Sequence, residues 1–243
     1  MKIVLFDIDG TLIRTGRAGS RAMNRAFEDL FGIPRAFDEI PMAGRTDRGI
    51  LEEGAERVGV ELGDRNLERF RDRYYQRLVE ALGEPSPDKG ILPGVRTLLD
   101  TLAVREDIFL ALLTGNCEQG ARIKLEHFDL WQFFRGGAYG DDVADRNALF
   151  GVAMTRAFEC GVAPVRPHDV MVIGDTVLDV ACAKAAGARS VAVATGPSGV
   201  GALQAAGADV VMDDLNDPRD VLQLLCTDLK YDDMSERYAD EAD

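Results

Sequence analysis

The stretch "IVLFDIDGTL", residues 3–12, decides the fold because it joins an apolar strand to two acidic side chains. A carboxylate at the end of a buried strand is costly to desolvate unless a positive group pairs with it. Asp7 and Asp9 flank the apolar Ile8, so an extended backbone would point both carboxylates to the same side. An alternative interpretation is that Asp9 and Gly10 form a turn while Asp7 caps a nearby backbone group.

The rest of the chain alternates strand-like and helix-like patterns. Near-continuous apolar runs, typical of strands covered on both faces, occur at 2–6, 108–113, 169–174 and 190–195, and a weaker run at 208–212. Helical periodicity occurs between them at 94–104, 117–128, 148–159, 176–187 and 199–207. Two of these helices end in "AAGA", where the glycine suits a left-handed cap. The pattern predicts an α/β fold, a Rossmann-like doubly wound parallel sheet.

One long segment interrupts this alternation. Between about residues 17 and 89 no convincing strand occurs, and three charged helical patterns take its place, at 17–32, 46–59 and 66–83. Gly- and Pro-bearing joins flank the segment and are typical of hinges. We therefore predict a catalytic core of residues 1–14 and 91–230, an inserted all-helical cap of residues 15–90, and a flexible acidic tail of residues 231–243.

The amino-acid composition limits the kinds of molecule that the protein is expected to bind. Forty-two Asp and Glu against 28 Lys and Arg give a net charge of −14, which disfavours nucleic acid and anionic membranes as partners. No apolar run approaches the length of a membrane span, and the N-terminus does not have the pattern of a signal peptide. The four cysteines have no metal-ligand spacing, so we interpret them as reduced thiols of a cytoplasmic protein.

Polar residues follow the predicted strands where each one ends, which is where ligands bind in a doubly wound sheet. Asp175 and Asp179 follow one strand and would add their carboxylates to those of Asp7 and Asp9. Carboxylates about 4 Å apart repel each other by roughly 4 kcal/mol per pair at an effective dielectric near 20. Oxygen ligands without His or Cys favour Mg²⁺, so the metal is the expected positive partner. Asp179 could equally complete a capping box with Thr176.

A second polar group, Thr114, Gly115 and Asn116, follows the strand at 108–113 and opens the helix near Cys117. A hydroxyl and free backbone amides at a helix N-terminus form an anion site. The alternative is that Asn116 serves only as an N-cap.

The segments "DIDGTL", "LLTGN" and "IGDTVLDVACAKAAGA" resemble motifs I, II and IV of the haloacid dehalogenase-like hydrolase superfamily, especially phosphoglycolate phosphatase-like members with a helical cap. The resemblance implies that Asp7 is the nucleophile that forms an aspartyl-phosphate and that Asp9 is the general acid and base. It implies that Thr114 binds the phosphoryl group. Mg²⁺ would be held by Asp7, the backbone carbonyl of Asp9 and Asp175, with Asp179 in support. Further candidates for binding phosphate or substrate beside these motifs are Gly10, Thr11, Gly115 and Asn116.

The chain departs from the family pattern at motif III, which usually carries a lysine. The corresponding segment "GDDVADRNALF", 140–150, has Arg146, which can neutralise phosphate and nucleophile with a different geometry. Lys124 is the other candidate, but its helical pattern favours a solvated charge. We therefore favour Arg146 and expect Arg146→Ala to abolish turnover while Lys124→Ala leaves it mostly intact.

The cap carries one polar, glycine-marked turn, "AGRTDRGI", 43–50. Arg45, with Thr46 beside it, could bind a substrate carboxylate or a second phosphate. The alternative is that Thr46 and Asp47 cap a helix and that Arg45 is solvated.

Together these features predict a Mg²⁺-dependent phosphatase that hydrolyses a small phosphorylated metabolite through an aspartyl-phosphate. An acid at position 9 favours, by the resemblance, a phosphatase over a dehalogenase. A sugar phosphomutase such as β-phosphoglucomutase has overlapping motifs. A non-catalytic module that binds phosphate or Mg²⁺ is an alternative from another class. A phosphoacceptor signalling domain would need neither the cap nor Asp9.

Overall fold

The computed structural model of the chain describes residues 1–143 and 145–226, so the predicted tail and the last residues of the predicted core lie outside the described residues. The strands are β1 (Lys2–Phe6), β2 (Ile13–Thr15), β3 (Lys89–Ile91), β4 (Ile108–Leu113), β5 (Gly137–Ala138), β6 (Val170–Gly174), β7 (Arg189–Val193) and β8 (Val210–Met212). The helices are α1 (Ala18–Phe31), α2 (Asp47–Arg57), α3 (Asp64–Gly83), α4 (Val95–Ala103), α5 (Glu118–His127), α6 (Leu149–Glu159), α7 (Val177–Ala185), α8 (Val200–Ala205) and α9 (Pro218–Cys226). None of the helices within these two ranges combines the length and apolarity that crossing a membrane requires.

Six strands form one parallel sheet in the order β5-β4-β1-β6-β7-β8, which confirms the predicted Rossmann-like architecture. Alternate residues of β1 enter different cores: Val4 and Phe6 pack on one face, Ile3 and Leu5 on the other. This arrangement explains the near-continuous apolar run, because both faces of the strand are covered by helices. The two "AAGA" glycines, Gly187 and Gly207, adopt the predicted left-handed conformation with φ of 67° and 81°.

Helices α1, α2 and α3 lie between β2 and β3 and enclose an apolar core of their own, in which the rings of Phe27, Phe37 and Phe70 pack edge to face. β2 and β3 pair as a short antiparallel ribbon at the predicted joins. Strands this short have no detectable alternation, which is why the sequence did not reveal them. We propose that this helical unit, with the ribbon as its base, is the cap.

The helical unit lies directly against the sheet's carboxyl edge. The Asp47 N–H donates to the Gly115 carbonyl at 2.7 Å, and the Asp47 carboxylate accepts from the Cys117 N–H at 2.9 Å. Asp47 thus binds the free amide at the start of α5 from across the interface. Between the two units lies a cavity of about 690 Å³, and its lining includes Asp7 and Asp9.

Candidate active site

Asp7 lies at the end of β1, where its N–H continues the sheet by donating to the Ile173 carbonyl at 2.9 Å. Its buried carboxylate accepts a hydrogen bond at 3.1 Å from Nη2 of Arg146, which also donates to the Asp179 carboxylate. Arg146 lies in a 3₁₀ turn just before α6 and is buried. The Arg146 guanidinium therefore bridges the carboxylates of Asp7 and Asp179. Arg146 is the residue that the sequence favours in place of the motif III lysine.

Asp175 follows β6 and is enclosed by backbone. Its Oδ1 accepts from the Thr11 hydroxyl at 3.0 Å, whereas its buried Oδ2 has no hydrogen-bond partner among the described residues. A Cβ at Gly10 would lie 2.5 Å from Oδ2, and a Cβ at Gly196 would overlap the same atom. Gly10, with φ of 87°, and Gly196 thus form a cradle around one unsatisfied carboxylate oxygen. A cation bound at this oxygen would satisfy it.

Asp179 completes the capping box with Thr176, because its Oδ2 accepts from the Thr176 N–H at 3.0 Å and from the Thr176 hydroxyl at 2.7 Å. Its other oxygen accepts from Arg146. Both Asp179 oxygens therefore have donors, which favours a supporting role over direct coordination. Asp179 therefore both caps α7 and lies beside the other acidic residues of the site.

The acidic cluster has the composition and spacing of a metal site. Single oxygens of Asp7, Asp175 and Asp179 lie within 4.8 Å of one another. Burial raises the pKa of Asp7 to about 6 against the opposing charge of Arg146. Burial, and then repulsion from Asp7, raises the pKa of Asp175 to about 8. Three carboxylates and one guanidinium leave two negative charges, so these residues fit a divalent cation with oxygen ligands.

These pKa shifts predict how stability depends on pH when metal is chelated. Both carboxyls bind protons more tightly in the folded chain than in the unfolded chain, where their pKa is near 3.8. Their contribution to the free energy of unfolding is therefore present at low pH and lost as pH rises from about 4 towards 8. We expect the Tm in chelator to fall across this window and a divalent cation to reverse the fall. Asp175→Asn should flatten the profile; an equally steep decline in that variant would contradict the assignment.

The Gly196 cradle predicts a metal-binding defect from one added methyl group. Gly196→Ala would push its Cβ into Asp175 Oδ2, so we expect at least about a tenfold weaker affinity for a divalent cation. Gly199→Ala in the same loop is the matched control, because its Cβ would meet nothing within 4 Å. Cation-dependent stabilisation, followed by Tm during a titration, measures the difference. Equal affinities in the two variants would refute the cradle.

Asp9 is held by a second polar network that involves Lys124. Its Oδ2 accepts from Lys124 Nζ at 2.6 Å and from the Asn116 amide at 2.9 Å. Lys124 Nζ also donates to the Asn116 side-chain carbonyl at 2.5 Å, and the Asn116 amide donates to the Thr114 hydroxyl at 2.9 Å. Burial alone would lower the pKa of Lys124, but the carboxylates of Asp9 and Asp47 outweigh it and raise that pKa.

Two interpretations from the sequence are wrong here. Lys124 is buried rather than a solvated charge, because the helical unit covers the face of α5 that carries it. Asn116 is not the N-cap of α5: that position is Cys117, and its amide is bound by Asp47. The Asn116 side chain instead connects Asp9 to Thr114.

The polar turn of the cap packs against the second motif. A Cβ at Gly115 would overlap the carbonyl oxygen of Arg45, so this glycine permits close contact between the two units. Thr46 is the N-cap of α2, and its hydroxyl accepts from the Gly49 N–H at 3.1 Å. Arg45 lines the cavity but pairs with Glu53 at 2.6 Å. It is therefore neither free in solvent nor unpaired toward a ligand.

Sequence reasoning missed two contributors to the site. Asp47, predicted from the sequence only as a cap of its own helix, also binds the start of α5 from across the interface. The loop after β7, in which the sequence predicts no site residue, also contributes: Thr195 donates to the Gly10 carbonyl at 2.6 Å, and Gly196 borders Asp175. The signal for this loop was its place at the carboxyl end of a predicted strand beside the one that delivers Asp175.

Comparison with known proteins places this site in a family. The sequence model of the haloacid dehalogenase-like hydrolases matches residues 4–193. A phosphoglycolate phosphatase of Chromobacterium violaceum is 26% identical over 230 residues, covering 92% of this chain and 97% of the relative. Phosphatases of this kind are phosphoric monoester hydrolases, the predicted enzyme class.

Solved structures agree with this placement. A hydrolase from Pseudomonas syringae superimposes with a TM-score of 0.68 at 26% identity, covering 93% of this chain and 100% of that structure. A candidate β-phosphoglucomutase from Thermotoga maritima gives a TM-score of 0.60 at 26% identity, covering 92% and 99%. With its sheet, its acidic cluster and the extent of the match, this chain belongs to the haloacid dehalogenase-like hydrolases.

Proposed function

We propose that this chain is a Mg²⁺-dependent phosphomonoesterase that works through a covalent aspartyl-phosphate on Asp7. The observation that carries the proposal is the convergence of Asp7, Arg146 and the unsatisfied Asp175 oxygen in one buried cluster open to the cavity. A small phosphorylated metabolite as substrate and a cytoplasmic location belong to the same proposal.

Asp7 has the properties that a nucleophile requires. With a pKa of about 6 its carboxylate is largely ionised at neutral pH, and it attacks phosphorus as the ester bond to the leaving alcohol breaks. Arg146 fixes the carboxylate through Nη2, while its buried Nε–H has no partner among the described residues and is available to a phosphoryl oxygen. Mg²⁺, held by Asp7 and Asp175 with Asp179 in support, would neutralise charge between the anionic phosphate and the nucleophile.

Asp9 would serve as the acid and then the base. It lines the cavity two residues after the nucleophile. In its protonated form it would give its proton to the leaving alkoxide, and the carboxylate so formed would then take a proton from the water that attacks the aspartyl-phosphate. The Thr114 oxygen accepts from the Asn116 amide, which leaves its own proton unused in that bond, but Thr114 is fully buried and is not among the residues that line the cavity. Lys124 and Asn116 hold the Asp9 carboxylate in place, so both are positioning residues.

The position of Lys124 leads to a prediction opposite to the sequence expectation. Lys124→Ala frees Asp9, so we expect kcat/KM for an alkyl phosphate to fall about 100-fold. For 4-nitrophenyl phosphate, whose leaving group needs no proton, the loss should be much smaller. Lys184→Ala on the exposed face of α7 is the control. Equal losses on both substrates would contradict a role through Asp9.

Phosphate release tests the proposed function. Purified protein with Mg²⁺ should liberate orthophosphate from members of a panel of phosphomonoesters, and chelator should suppress the release. The Thermotoga maritima neighbour favours a phosphomutase as second candidate. An isomerised sugar phosphate without free orthophosphate would support the mutase, and no turnover by any ester would contradict both.

A further inference from the structure

The cavity between the two units is lined by the catalytic residues on the sheet's side and by a partly apolar wall on the side of the helical unit. Its volume of about 690 Å³ lies in the range that encloses drug-sized ligands, and a two-carbon acid phosphate would fill only a small part. The helical unit contributes six apolar or aromatic side chains to the lining, those of Met23, Phe37, Ile40, Met42, Ile50 and Tyr74, beside polar ones such as Ser20 and Asp38. Such a wall favours a leaving group with apolar surface to bury.

The charges around the cavity do not suit an acidic leaving group. Of the cations in its lining, Lys124 and Arg146 pair with catalytic carboxylates, and Arg45 pairs with Glu53. The remaining two, Arg14 and Arg17, are solvent-exposed. Three more acidic residues line the same cavity, Asp38, Asp47 and Asp88; the Asp38 carboxylate pairs with Arg35, and that of Asp47 accepts from the Cys117 N–H. A carboxylate on the leaving group would therefore meet negative charge without a buried, unpaired cation among the described residues.

Tyr74 supplies an independent sign of a ligand. Its ring stacks on Phe70 with centroids 6.1 Å apart, and its side chain is 2% exposed. The buried hydroxyl has no hydrogen-bond partner among the described residues, although the residue lines the cavity. Burial raises the pKa of Tyr74 well above its usual value, so the hydroxyl remains a donor. A buried donor without an acceptor is costly, and an acceptor atom on a bound molecule would satisfy it.

We infer that the substrate is a phosphomonoester of an uncharged alcohol larger than a two-carbon acid, with an apolar body against the helical wall and an acceptor for Tyr74. This inference rests on the proposed phosphatase function. The inferred substrate differs from phosphoglycolate, the substrate in the names of the relatives that this chain resembles.

A series of esters with leaving alcohols of similar acidity tests the apolar wall. We expect kcat/KM with Mg²⁺ to be at least about 100-fold higher for 2-phenylethyl phosphate than for ethyl phosphate or phosphoglycolate. A preference for phosphoglycolate, or equal values for the two alkyl esters, would overturn this inference and leave the phosphatase intact. Absence of orthophosphate release from every ester, 4-nitrophenyl phosphate included, would overturn both.

Two variants test whether the preference for 2-phenylethyl phosphate over ethyl phosphate depends on the apolar wall of the cavity. Met42→Glu places a charge in the apolar wall and should reduce the ratio of kcat/KM for phenylethyl over ethyl phosphate at least tenfold. Val79→Glu on the exposed face of α3 should preserve that ratio. An unchanged ratio in Met42→Glu would overturn the wall assignment.

The acceptor is tested with ring-methoxy isomers of 2-phenylethyl phosphate, which carry an ether oxygen at three different positions. At least one isomer should have a higher kcat/KM than the parent 2-phenylethyl phosphate. In Tyr74→Phe, the ratio of kcat/KM for that isomer to kcat/KM for the parent should fall close to one. Failure of all three isomers to exceed the parent, or persistence of the advantage in Tyr74→Phe, would overturn the role of Tyr74.

Discussion

Asp7→Asn is expected to remain folded and to lose turnover of every phosphomonoester by a factor of about 10⁴ or more. The amide has the shape of the carboxylate and can occupy the same place at the end of β1, but it cannot attack phosphorus. Steady-state phosphate release with Mg²⁺ measures the loss. Asp100→Asn on the exposed face of α4 is a matched control and should retain full activity.

For stability, the expected effect of Asp7→Asn is the opposite of its effect on turnover. Burial raises the pKa of Asp7, so the ionised carboxylate is a cost to the metal-free fold at neutral pH. The neutral amide should therefore keep or raise the Tm in chelator, while the stabilisation by Mg²⁺ falls because one ligand is lost. A variant that loses activity because it unfolds, or that keeps more than a few per cent of turnover, would contradict the assignment.

Arg146→Ala is expected to affect both catalysis and folding. Its removal leaves the buried carboxylates of Asp7 and Asp179 facing each other without their shared cation. Breaking such a buried pair costs about 3–5 kcal/mol, so the free energy of unfolding should fall by that amount in chelator. Loss of a donor to the phosphoryl group and of the fixed nucleophile should lower kcat by about 10³.

Arg146→Lys separates the two effects. The ammonium restores a positive charge, so most of the stability should return, but one flexible point charge cannot reproduce the planar contacts of the guanidinium. We expect intermediate activity, measured alongside chemical denaturation of both variants. Full turnover in Arg146→Ala would show that another cation, Lys124 in particular, carries the motif III role.

The sheet was predictable because β1, β4, β6 and β7 are buried along nearly their whole length, and because a glycine turn precedes both β7 and β8. Those features are local in the sequence. Strand β5 has two residues and the β2–β3 ribbon has three in each strand, too few for any periodicity. Helix α9 was missed although its apolar residues have helical spacing. Its place beside α4 is fixed by tertiary contact.

The site was predictable where it depends on strand ends. Parallel strands bring their carboxyl ends to one edge, so the meeting of Asp7 and Asp175 followed from the strand pattern alone. The prediction of a solvated Lys124 is wrong because a lysine in a helical pattern is usually solvated, whereas here the helical unit covers it. Gly196 and Asp47 act through contacts between distant segments, which one sequence does not reveal.

Mass spectrometry of the acid-quenched enzyme tests the central claim most directly. Protein mixed with Mg²⁺ and a substrate that releases phosphate should yield, after rapid quenching and digestion, a peptide carrying one phosphoryl group on Asp7. The signal should be absent from Asp7→Asn. Phosphate release without any label, or a label on a residue other than Asp7, would contradict the account.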